Sequence, residues 1–415
     1  MAITINDQPD TFTPVYNPVV FTLDSTNNTQ TNFKYVVDVY MEGSVSYDRR
    51  FLIPADPNNG YGKIDLSRYL KSKVTGVDIS ISATHVEEMP NSIKKLKVKV
   101  GEQFGTTPGT TADLATSNDF YVFNGAVKFK DFVSWDSGNY LLAGTGDKFL
   151  TNAPTTQRIA SGEDAFLSAI VNTAGAAYYV IVRTFDDVDA NGNLIGQYDI
   201  AYDGQALANT ADRMFITPAG WNLNDIAAGD ITVTSGALPI LDADVKSYLV
   251  VVTTSTGITQ LRSEVKYFNV INRDCRHSGN QFRLHYLNRL GGYDSFTFEL
   301  VNKYNISKEV SEFRRERGVW SGTSYDFDRK TPQRAAFHTQ TQTRYRLTSN
   351  WVTKAEYDAL EELFDSPEAY YVDGSELVFC RVVNTNYEEK LEASDKLFNV
   401  EMEIEVTYTD DRQGW

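Results

Sequence analysis

Apolar and polar residues alternate with a period of two over much of this chain. In Asn32–Met41, Phe33, Tyr35, Val37 and Val39 share one face. Leu96, Val98 and Val100 alternate with Lys95, Lys97 and Lys99, the pattern of an edge strand with one charged face. Near the end, Phe398, Val400, Met402, Ile404 and Val406 alternate with Asn399, Glu401, Glu403, Glu405 and Thr407. Alternation of this kind predicts half-buried strands. Shorter apolar runs predict more of them, at Val19–Leu23, Arg50–Ile53, Val77–Thr84, Phe166–Val171, Ala177–Phe185, Tyr198–Tyr202, Asp212–Ile216, Asp230–Thr234, Lys246–Thr253, Gln260–Val270, Phe337–Thr348, Ala369–Val372 and Leu377–Val383.

Gln281–Leu300 has the plainest hairpin pattern. Phe282, Leu284 and Tyr286 precede Gly291-Gly292, and Phe296 and Phe298 follow. Ile64–Leu70 fits a single helical turn. The one longer helix is expected over 353–365. Thr353 and Glu356 form a capping box, Tyr357, Leu360, Leu363 and Phe364 share a face, and Ser366-Pro367 ends it.

Many short strands with turn residues between them predict a mainly β protein built of tandem β-sandwiches. Three domains are expected. They are an N-terminal sandwich over 1–112, a second over 118–272, and a C-terminal β-rich sandwich or barrel with one helix over 273–415. The Gly-, Thr- and Ser-rich stretch Gly101–Ser117 is the candidate linker, or an exposed loop. Lys303–Pro332 is long and polar, which is unusual inside a compact domain, and it is expected to reach outward (303–332).

Composition narrows the function. The net charge is −16, from 39 Lys and Arg against 55 Asp and Glu. Binding to a specific nucleic-acid sequence is therefore not expected, because phosphate neutralisation needs clustered cations. No run approaches the length of a membrane-spanning helix, so membrane insertion is not expected. The opening MAITINDQPD has no basic segment followed by an apolar one. The expectation is a protein kept in a cytoplasm or released by lysis. The two cysteines, Cys275 and Cys380, are expected to be reduced core residues, and two Cys with four scattered His do not favour zinc.

Candidate chemistry is sparse. Asp187, Asp189 and Asn191 match the first half of a calcium loop, but Tyr198 stands where a bidentate carboxylate is needed. A hairpin turn at Asn191-Gly192 explains the same residues. Asp274, Cys275, His277 and His285 offer a thiol and an imidazole, but nothing supplies an orienting group, and structural residues of a strand are the preferred explanation. Glu401, Glu403 and Glu405 stand about 6–7 Å apart along a strand, a spacing compatible with paired glycosidase carboxylates. A solvated face or an interface ladder explains them with less. No enzyme and no cofactor are expected. Arg314, Arg315 and Arg317 lie in a mixed-charge stretch with Trp320, Tyr325 and Phe327. This set suits contacts with an acidic neighbour, and the carboxylates of Glu401, Glu403 and Glu405 on another copy are the candidate partners. A solvated loop is the plain alternative.

Several phrases resemble structural proteins of the tail and neck of tailed bacteriophages infecting Bacteroidota, the crAss-like phages and their relatives. They are YNPVVFTLDSTNNTQTNFKYVVDVY, FNGAVKFKDF with KFLTNAP, FRLHYLNRLGGYDSFTF, NWVTKAEYDALEELFDSPEAYYVDG and NTNYEEKLEASDKLFNVEMEIEVTY. The layout of the last domain is similar to that of tail-tube and hub proteins. The resemblance implies a non-catalytic virion protein, assembled in the host cytoplasm. Its partners would be its own copies in a ring or hub, and other tail or neck proteins. A receptor- or carbohydrate-binding module of the tail tip is the second expectation, and a capsule depolymerase the third.

Overall fold

The computed structural model describes residues 3–76, 79, 86–107, 109–110, 115–171, 178–188, 194–195, 198–202, 213–233, 238–255, 260–271, 281–300, 302–327, 329, 332–374, 376–383 and 398–413. The protein is mainly β. It divides into two compact units, Met1–Asn272 with Leu287–Ser295, and Arg273–Tyr286 with Phe296–Trp415.

The first unit holds two layered β modules. In the first, Ile3–Asp7, Val20–Ser25 and Gly62–Asp65 form one sheet. The facing sheet runs in the order Phe12–Pro14, Phe120–Phe123, Ile93–Phe104, Lys34–Met41, Arg49–Pro54. Phe21, Leu23, Tyr35, Val37, Val39, Leu96, Val98, Val100 and Phe120 fill the space between them. The alternation in Asn32–Met41 thus points into a sandwich core. Ile93–Phe104 is not an edge strand, because strands pair along both of its sides. Its lysines lie on the outer face beside acids: Lys95 is 3.2 Å from both Glu42 and Asp119, and Lys97 is 3.1 Å from Asp119. Flexible stems let a lysine row cover an interior strand of a one-sided sheet.

The second module sets the sheet Leu141–Leu142, Phe166–Val171, Met214–Pro218, Glu87–Glu88 against a six-stranded one. The latter runs Thr156–Ala160, Lys266–Ile271, Ser247–Thr253, Tyr179–Phe185, Tyr198–Tyr202, Ile231–Val233. Phe149, Leu167, Val171, Val182, Phe215, Tyr248 and Phe268 lie between the sheets. Ser247–Thr253 is buried at every position, because Ile181, Phe185, Leu249 and Val251 pack into a further cluster.

The sequence boundary between the modules shifts on both sides. Phe120–Phe123 belongs to the first module, where Phe120 and Val122 enter its core. Glu87–Glu88, from the N-terminal side, pairs with Phe215 and Ile216 in the second. Gly101–Ser117 is not a linker. Gly101–Phe104 ends a strand, and Gly109–Thr110 and Ala115–Thr116 pair back onto it. Most of the expected strand Val77–Thr84 lies outside the described residues, as do Asp274, Cys275 and His277.

Asn288–Gly292 turns the aromatic hairpin, and its tip belongs to the first unit. Gly291 takes φ +80°, and a Cβ there would stand 2.3 Å from the Asn124 carbonyl oxygen. A Cβ on Gly292 would meet the Leu150 carbonyl oxygen at 2.6 Å. The buried Asn288 amide donates to the Leu150 carbonyl at 2.7 Å and to Asp294 at 3.0 Å. Its oxygen accepts from the backbone of Leu290 and Gly292. Asn124 of FNGAVKFKDF, Leu150 of KFLTNAP and the Asn288–Gly292 tip therefore pack together within the first unit.

In the second unit the described strands form one large open sheet with a helix on one face, and a separate two-stranded hairpin, where a sandwich or barrel is expected. The strand path is Tyr293–Phe298, Phe282–Leu287, Ala369–Asp373, Glu376–Val382, Glu401–Val406, Arg334–Thr348, Lys303–Arg314. Asp410–Gln413 lies along Arg334–Thr348. The helix Lys354–Asp365 does the work of a second sheet by burying Tyr357, Leu360 and Leu363 against Met402, Ile404, Val406 and Leu347. Thr353 and Glu356 form the expected capping box. Cys380 is a free, buried thiol that burial pushes up to about 12, so it is inert near neutrality. His285 is buried on the sheet. Burial, aided by the Arg283 charge, holds its imidazole well below the usual value and hence neutral.

Candidate interface: the arm of the second unit

Lys303–Arg314 and Arg334–Thr348 pair in antiparallel register from Lys303↔Arg346 to Arg314↔Arg334, with a bulge at Ser311/Glu312. The expected irregular reaching segment is thus a β-arm. Its sequence supports strands: Tyr304, Ile306 and Val310 face Tyr345, Thr343 and Thr339, all residue types that fit a pleated surface. Glu401–Val406 flanks Arg334–Thr348 only between Arg344 and Thr348, and Asp410–Gln413 only between His338 and Thr341. From Ile306 to Arg314 the arm spans about 30 Å. Lys303–Arg314 ends the sheet, and every residue in it is exposed except Ser311 and Phe313, which are half-buried.

A second small hairpin, Val319–Ser321 with Ser324–Asp326, forms the tip. Gly318 at φ +103° has no room for a Cβ, which would meet the Tyr325 ring at 2.6 Å. Tyr325 donates its hydroxyl to the Arg317 carbonyl and packs edge-on to Trp320 at 5.1 Å and Phe327 at 5.5 Å. Trp320 is 69% exposed and Phe327 77%. The Arg315 guanidinium lies 5.4 Å from the Phe313 ring centre. The tip thus brings Arg317, Trp320, Tyr325 and Phe327 together, while Arg314 and Arg315 stand where the longer strand ends.

The carboxylates are placed differently. Glu405 is 1% exposed and accepts from Arg344 Nε at 2.8 Å and Nη2 at 2.7 Å, and from Arg381 Nε at 2.7 Å and Nη2. Burial raises its carboxyl, but the hydrogen bonds from Arg381 and Arg344 outweigh it and hold the group below its ordinary value. Glu401 accepts from Arg346 at 2.6 Å. Cations of the same sheet therefore occupy Glu405 and Glu401, and Glu403 shares their face. The expectation that this row meets arginines of another copy is corrected for Glu405, whose four bonds leave it closed off. Period-2 spacing reveals the carboxylate row. It does not reveal that Arg344, Arg346 and Arg381 stand on the neighbouring strands, because cross-strand pairing is a tertiary fact.

Of the calcium candidates, the backbone of Asp187 pairs with Ile195 in a two-stranded ladder. Asp189 and Asn191 lie outside the described residues. Among the described residues no group of three His, Cys, Asp or Glu could hold a metal ion, and no helix is long and apolar enough to cross a membrane. Tyr304, Ile306 and Val310 were the missed residues. Their alternation with Asn305, Ser307 and Glu309 was the available signal, diluted by Lys308.

No family model matches the chain, and no curated protein matches it.

Proposed function

We propose that the protein is a non-enzymatic structural component of a tailed-phage virion. Its copies would associate into a ring or hub that joins or lines the tail or neck through the arm of the second unit. The observation that carries this reading is the arm itself. It is a two-stranded extension whose apolar side chains and backbone edge face solvent, and whose tip carries aromatics and arginines. Exposed apolar surface on an ordered element marks an interaction site more often than a free surface. Aromatics and arginine are also the residue types enriched at interface centres. The phage setting rests on the resemblance of the quoted phrases to tail and neck proteins. The packing of the Asn288–Gly292 tip against Asn124 and Leu150 supports a structural role for these stretches.

Native mass spectrometry of the purified full chain tests the assembly, with negative-stain imaging of the particles. A closed oligomer is expected. A chain that stays monomeric and captures no virion component removes the basis of the reading. In the phage, trimming the arm between Arg314 and Arg334 should prevent assembly of intact tails.

A further inference from the structure

The arm has two faces, and they differ in kind. On one, Lys303, Asn305, Ser307 and Glu309 stand opposite Arg346, Arg344, Gln342 and Gln340, and this face continues the guanidinium and carboxylate ladder of the sheet. On the other, Tyr304, Ile306, Lys308 and Val310 stand opposite Tyr345, Thr343, Thr341 and Thr339. This second face continues the core side of the sheet. Tyr345 packs on Phe282 at 4.9 Å and Tyr371 at 5.7 Å, at the margin of the core, and Tyr304 follows at 6.4 Å from Tyr345. Beyond that point the helix no longer covers the sheet. Tyr304 is 69% exposed, Ile306 55% and Val310 37%. A core face that outruns its own core leaves apolar area for another molecule to bury.

Charge identifies the occupant. Between Lys303 and Arg334 the chain carries eight cations and five carboxylates, a net charge of +3. The rest of the chain therefore carries −19. A second copy presents a body of opposite sign to the arm and an arm of the same sign. Lys308 is the one charged residue of this face between Tyr304 and Val310. Against an acidic body it gains a counter-charge, whereas against another arm it meets more cations. At physiological salt, charges in direct contact lie well within the screening length of about 8 Å.

We infer that the core-side face of the arm, centred on Tyr304, Ile306 and Val310, is buried by the acidic body of a second copy, arm to body and not arm to arm. Such a contact is heterologous, so it propagates into rings when its rotation closes and into filaments when it does not. An arm-to-arm contact would stop at a dimer. The inference rests on the self-association reading above and goes further by naming the face and the mode.

The test uses the full chain with Ile306→Ser and Val310→Ser combined. Both side chains are solvent-facing in the single subunit, so the melting temperature should match the wild type at a dilution where both are monomeric. The subunit dissociation constant should rise about tenfold or more. The mass-tagged variant is then mixed with untagged wild type and analysed by native mass spectrometry. In a heterologous arrangement the variant alone is monomeric, yet it enters wild-type oligomers, because its body still accepts an arm. A variant that assembles like the wild type overturns the assignment of the face. A monomeric variant that never enters wild-type oligomers, or a wild type that stops at dimers, overturns the arm-to-body mode. A wild type that is monomeric throughout removes both this inference and the ring reading.

Discussion

Two hairpins follow one another in this chain and end in opposite surroundings. The first turns at Asn288–Gly292, where the tip is glycine and a hydrogen-bonded asparagine held against the carbonyls of Asn124 and Leu150. The second, the arm, ends in Trp320, Phe327 and a run of arginines facing solvent, around a half-buried Tyr325. Both grow from strands with the same alternation. A glycine pressed against a carbonyl admits no side chain, so Gly291 and Gly292 are set by steric exclusion. A tip that presents large side chains is shaped for a surface outside its own fold. The first hairpin is part of the architecture, and the second is where the proposed function lies.

Replacing Gly291 by valine should strain that contrast most. A β-branched residue at φ +80° is unfavourable by itself, and its Cβ meets the Asn124 carbonyl. A loss of about 3–5 kcal/mol in urea unfolding is expected. A wild-type midpoint would show that the tip is not packed as described. Asn288→Ala comes next. It leaves the buried Leu150 carbonyl and two backbone amides without their partner, and should cost about 2–4 kcal/mol.

Glu405→Gln probes the sheet at the base of the arm and should cost about 1–3 kcal/mol near neutral pH, because charge-assisted bonds to Arg344 and Arg381 become neutral ones. The sign with pH follows from the lowered carboxyl. Its contribution is fully present above the ordinary value of 4.5 and is lost as pH falls through the lowered folded value. The gap between wild type and variant should therefore narrow in acid, and a gap that widens below pH 4.5 would contradict the assignment. The smallest stability effect belongs to the arm tip. Trp320→Ala and Phe327→Ala should stay within about 0.5 kcal/mol of the wild type in unfolding, as exposed substitutions do, while weakening assembly. Lost stability with unchanged assembly would place these rings in a core.

The strands, the helix with its Thr353 and Glu356 cap, and the tandem β layout were legible because each depends on local periodicity and capping chemistry. Alternation also marked which residues share a face, as in Met402, Ile404 and Val406 against Glu401, Glu403 and Glu405. It could not say what stands opposite a face, since strand neighbours come from distant parts of the chain. Only the tertiary structure moved Phe120–Phe123 into the first module, closed Glu405 with two arginines, and put the lysine row on an interior strand. It alone left the apolar face of Tyr304, Ile306 and Val310 bare. A strand pattern fixes direction at the cost of a few neighbouring dihedral angles, whereas burial is decided by which other elements the whole chain can bring alongside.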